Sequence, residues 1–143
     1  MIASPQPARR DRWLRAIAYG LLAEVATIIT IIIIVMVYRY VIAPGQADAI
    51  YAAFGERAGG WVGIIGGTFY VFLFARWLVR RLSDNRIAHG IVVAVAAIAL
   101  SVTGSLVGHH GVPMGYIVAS VLKLAAGALA GFLAAQGRPT ATA

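Results

Sequence analysis

From Ala16 to Tyr38 the chain runs for 23 residues between Arg15 and Arg39 with a single charge, Glu24. At about 1.5 Å per residue this stretch makes a helix of roughly 35 Å, enough to cross a hydrocarbon layer of about 30 Å with some tilt. Three more runs repeat that solution, at residues 58–78, 87–107 and 113–135. The expected fold is therefore an all-α integral membrane protein, with four transmembrane helices forming an up-down antiparallel bundle over one domain, residues 1–143.

The short turn Leu82-Ser83-Asp84-Asn85 makes spans two and three antiparallel neighbours, and Ser83, Asp84 or Asn85 is placed to cap the third helix. His109 to Val112 gives the same tight connection on the opposite side, with Pro113 at the first position of the fourth helix. Between spans one and two, Ala47, Ile50, Tyr51 and Phe54 fall at i, i+3, i+4 and i+7 after Pro44-Gly45. This spacing predicts a short interfacial helix on the membrane surface, stopped by Gly55.

Charge sets the orientation. Arg9, Arg10, Arg12, Arg15, Arg76, Arg80, Arg81, Arg86 and Arg138 lie on one side, against Arg39 and Arg57 on the other, so both termini are expected in the cytoplasm. Residues 1–15 then form a basic cytoplasmic tail. The apolar run after it is too long for a signal-peptide core, and Pro44 follows the best small-residue cleavage position, Ala43. Trp13 and Trp77 mark the inner interface; Tyr38, Tyr40, Trp61 and Tyr116 mark the outer one.

A composition of 61% hydrophobic and 12% charged residues lies outside the soluble range, so the main partner is the lipid bilayer. The net charge of +7 does not imply nucleic acid, because the basic residues sit at the ends of apolar runs rather than on one solvated face. Absence of cysteine excludes disulfides, thiolate metal sites and thiol catalysis. Eleven arginines against one lysine fit a GC-rich bacterial genome, which places the expected location in the bacterial inner membrane.

Glu24 and Lys123 are the charges deepest in the spans. Each costs about 2.5–3.5 kcal/mol to insert unpaired, so each needs a partner or a water-lined cavity. Their depths differ by roughly 6 Å counted from the inner markers Arg15 and Gln136, which two long side chains can bridge. Lys123 is the expected partner of Glu24, both facing the bundle interior, and Arg76 the competing one, because Arg76 can snorkel to the nearby cytoplasmic surface whereas Lys123 has no such short exit. Thr27 and Ser120, one turn from Glu24 and Lys123 respectively, are placed where they could hydrogen-bond to either. The group reads either as a charge pair that fixes helix register or as a proton or cation site.

Small residues recur at four-residue spacing: Gly59, Gly63 and Gly67; Gly104 and Gly108; Gly127 and Gly131. Such stripes let helices approach closely, either within the bundle or at an oligomer or partner interface. The second span carries Gly60 and Gly66 as well, more than one seam needs. No metal site is expected: His89 and His109 stand about 30 Å apart on one helix, adjacent His109 and His110 point about 100° apart, and although Asp48 and Glu56 share their outer side and could complete an oxygen and nitrogen site, a solvated polar turn is the commoner case. No cofactor is expected either, and no pattern of acids, bases and hydroxyls suggests catalysis. Two functions fit: a non-enzymatic accessory or homo-oligomerising membrane subunit working through glycine-rich helix contacts, or a small transporter or channel for protons, ions or a small solute using Glu24 with Lys123.

Overall fold

The computed structural model describes residues 9–107 and 114–136, and among these every regular element is helical. Helix α1, Arg9–Val37, runs into a π-helical turn at Tyr38–Ile42. Helix α2, Asp48–Trp61, passes through a second π turn, Val62–Gly66, directly into α3, Gly67–Val79. Helices α4, Arg86–Val107, and α5, Met114–Gln136, follow. Four helices are long and apolar enough to cross a membrane: Arg10–Ile42, Asp48–Val79, Arg86–Val107 and Met114–Gln136.

The buried face of each helix is built from small residues. On α1 it carries Ala16, Gly20, Ala23, Glu24 and Thr27; on α5, Ala119, Lys123, Ala126, Gly127, Ala130, Gly131 and Ala134. Val71, Ala75, Val93, Ala94 and Ala97 fill the centre from α3 and α4. The large aliphatic side chains point outward, as Ile28, Ile29, Ile32 and Ile33 do on α1. This inversion of the soluble pattern is what lipid demands, because tails solvate Ile and Leu well and helices associate through close backbone contact instead.

Helix α4 packs on α5 and α1, and α3 packs on α5 and α1, with α3 and α4 also touching. The four long helices thus stand in a ring with α1 and α5 at opposite corners. In the turn between α3 and α4, Asn85 takes a left-handed conformation (φ 51°), and its carbonyl accepts from the amide of His89 at 3.0 Å and from the His89 ring Nδ1 at 2.9 Å. Ser83 donates to the Asp84 carboxylate at 3.0 Å. Arg86 donates to the carbonyls of Leu82, at 2.8 Å, and of Ala134, which ties the turn to the end of α5.

The expected helix stop at Gly55 is absent. Helix α2 continues from Asp48 through Gly55 into the second span, because Gly55 keeps helical hydrogen bonding and faces α1, where a Cβ on it would lie 3.7 Å from Val35 Cγ2. The connection before α2 is held by Tyr51, whose hydroxyl donates to the Ala43 carbonyl at 2.8 Å and accepts from the Gln46 amide at 2.9 Å. Tyr38 stacks on Phe54 with ring centroids 3.8 Å apart, and Arg39 reaches Asp48 at 3.1 Å. Gly108, His109, His110, Pro113 and Arg138 lie outside the described residues.

Candidate functional site

The buried polar centre draws on three helices. Glu24 follows Ala23 on the buried face of α1, and Lys123 lies one turn before Gly127 on the buried face of α5. Lys123 Nζ donates to Glu24 Oε2 at 2.6 Å, and the two residues are 3% and 7% exposed. Ser101 of α4 completes the group: its hydroxyl donates to Glu24 Oε1 at 2.5 Å and accepts from Lys123 Nζ at 2.8 Å. Each carboxylate oxygen therefore has a donor, and the ammonium has two acceptors. A buried pair satisfied in this way avoids the much larger cost of a lone charge.

Gly67 opens the path for the lysine. A Cβ placed on Gly67 would lie 2.7 Å from Lys123 Cε and 3.3 Å from its Nζ. The missing side chain on α3 thus leaves the slot through which Lys123 crosses toward α1. Spacing groups Gly67 with Gly59 and Gly63, but these two meet nothing within 4 Å among the described residues. Between Gly59 and Gly67 lies the π turn at Val62–Gly66, where the Gly67 amide reaches the carbonyls of Ile64 and of Val62, the latter five residues earlier. One extra residue in a turn corresponds to about 100° of α-helical rotation, so the four-residue stripe does not stay on one face.

Gly127 and Gly131 do pack within the chain, but against a partner the spacing does not reveal. Gly127 lies against the backbone of Gly90, and Gly131 against Ile87 Cα, 2.5 Å from where its Cβ would be. Gly20 meets the Val93 carbonyl in the same manner, with Ala96 Cβ at 2.7 Å. Gly20 and Gly90 belong to no four-residue glycine repeat, which is why no stripe points to them. Gly104 is open among the described residues.

Arg76 does not join Glu24. Its Nη1 is buried without a hydrogen-bond partner among the described residues, and so is Nε2 of His89, whose ring stacks on Trp13 at 4.2 Å. The hydroxyls of Thr27 and Ser120 donate to the carbonyls of Ala23 and Tyr116, at 2.9 and 2.7 Å, rather than to the pair. A hydroxyl one turn away on the same helix finds the i−4 carbonyl first. The depth of Ser101 holds the missing signal: it lies 15 residues, about 22 Å, along α4 from Arg86, close to the 20 Å or so of Lys123.

Among the described residues no three His, Asp or Glu side chains cluster as metal ligands. Comparison of the chain with protein-family models, with curated proteins and with solved structures finds no match.

Proposed function

We propose that this is a four-span membrane protein of up-down topology with both termini in the cytoplasm, acting without catalysis as an accessory or self-associating subunit of a bacterial inner membrane. The observation that carries the reading is the division among its glycines. Gly20, Gly67, Gly90, Gly127 and Gly131 each abut another helix or its side chain, whereas Gly59, Gly60 and Gly63 meet nothing within 4 Å among the described residues. Glycine costs helix stability relative to alanine, and in a membrane it is used where another helix comes close. Three positions on α2 and its π turn that meet nothing among the described residues support a contact with a second copy or another membrane protein.

The orientation rests on Arg10, Arg12, Arg15, Arg80, Arg81 and Arg86 at one end, against Arg39 and Arg57 at the other. Asp48–Val79, at 32 residues, is about 48 Å long and exceeds the hydrocarbon thickness, so its first turns extend into the outer interface as a continuation of the span. Mass measurement in lipid nanodiscs, with Gly63→Leu beside the wild type, tests the function. A wild-type monomer without a co-purifying partner, unchanged by the substitution, would overturn it.

The rival reading, a small transporter or channel, rests on the buried ionisable pair Glu24 and Lys123. Proton or ion flux into liposomes that vanishes in Glu24→Gln would replace the first reading with this one.

A further inference from the structure

At the arginine-rich end of the bundle, α1 and the end of α3 enclose a cavity of about 100 Å³. Arg12 and Arg15 line it from α1 and Arg81 from the chain just beyond α3. The hydroxyl-bearing residues Tyr19 and Ser83 also line it, beside apolar Leu78 and Leu82. Three arginines from two segments thus converge on one small space. Asp84 lies 3.8 Å from Arg12 with its side chain 72% exposed, while among the described residues Arg15 and Arg81 reach no carboxylate within 4 Å. Among the described residues the positive charge of Arg15 and Arg81 at the cavity therefore has no paired carboxylate.

The surroundings select the kind of anion. Arg12, Arg15, Tyr19 and Leu22 follow one another at helical spacing on one face of α1, so the basic cluster grades into an exposed apolar surface. Tyr19 stands edge-on to Trp77 with centroids 5.6 Å apart, and near Phe74 at 6.2 Å. Trp77 is half exposed and carries the Arg81 guanidinium 5.2 Å above its ring. Aromatic residues of this kind sit at headgroup level, and guanidinium groups match phosphate oxygens in paired hydrogen bonds. We propose that this cavity binds a phosphate ester, as the headgroup of an anionic phospholipid whose acyl chains lie along the Tyr19–Leu22–Phe74–Trp77 surface. This assignment stands apart from the oligomer reading, since it involves the opposite end of the bundle from Gly59 and Gly63.

The test is native mass spectrometry of the full chain titrated with phosphatidylglycerol or phosphatidylcholine in neutral detergent. Wild type retains one phosphatidylglycerol in preference to phosphatidylcholine. Each arginine near a headgroup is worth about fivefold in affinity, so Arg15→Gln with Arg81→Gln lowers the phosphatidylglycerol affinity about 25-fold. Arg10→Gln with Arg80→Gln removes the same charge from exposed positions outside the cavity and leaves the preference in place. A second arm adds millimolar inorganic phosphate. Failure of phosphate to displace the lipid assigns the site to a headgroup with its chains, and displacement together with tight binding of phosphate alone assigns it to a soluble phosphate ester, overturning the lipid source. Equal loss in both double variants, with helicity unchanged by circular dichroism, would show diffuse surface charge and overturn the site itself.

Discussion

Lys123 on α5 reaches 2.6 Å from Glu24 on α1, across the bundle between two helices that are not packing neighbours. The contact passes the open backbone of Gly67 on α3 and is completed by Ser101 on α4, so one polar group ties together α1, α4 and α5 beside α3.

Removing one member of the pair strands the other. Glu24→Ala and Lys123→Ala are each expected to destabilise the fold by about 3–5 kcal/mol, whereas Glu24→Met with Lys123→Met is expected to recover most of that loss. Unfolding in mixed micelles by titrated denaturing detergent measures the difference. A double change no more stable than either single one would show that the charges are not coupled.

Filling the lysine slot should separate the pair without touching a charge. Gly67→Leu places a branched side chain where Lys123 Cε lies, and the expected outcome is a loss of about 1–3 kcal/mol that is largely absent when Lys123 is already replaced by Met. Equal destabilisation in the two backgrounds would mean that Gly67 serves only the helix backbone.

The glycines divide into two classes by substitution. Gly90→Ala or Gly127→Ala puts a methyl group against the facing backbone and should cost about 1–3 kcal/mol, because a carbonyl cannot move aside as a flexible side chain can. Gly63→Leu should leave the stability of the single chain unchanged and alter only its association in lipid. A stability loss in Gly63→Leu that matches Gly127→Ala would contradict this division.

Reporter fusions read the topology. A cytoplasm-active fusion after Gly137 should be functional, and an insertion at Gln46 should be functional only if the reporter works outside. The reverse pattern would invert the orientation drawn from the arginines.

Four membrane-length helices are legible in the residues alone, for a simple reason. Hydropathy and a rise of about 1.5 Å per residue are local properties that need no partner to be read. The same arithmetic brings Glu24 and Lys123 to comparable depth. Whatever depends on which faces meet is fixed only when the helices pack. Packing sets Lys123 rather than Arg76 on Glu24, and brings Ser101 of the facing helix α4 to the pair although its hydroxyl also lies 3.1 Å from its own i−4 carbonyl, Ala97, as those of Thr27 and Ser120 lie near theirs. It pairs Gly127 with Gly90, which no shared repeat announces. It also splits Gly63 from Gly67 through a single π turn, since the shift to i→i+5 bonding changes the facing of every residue beyond it and leaves the residue spacing untouched.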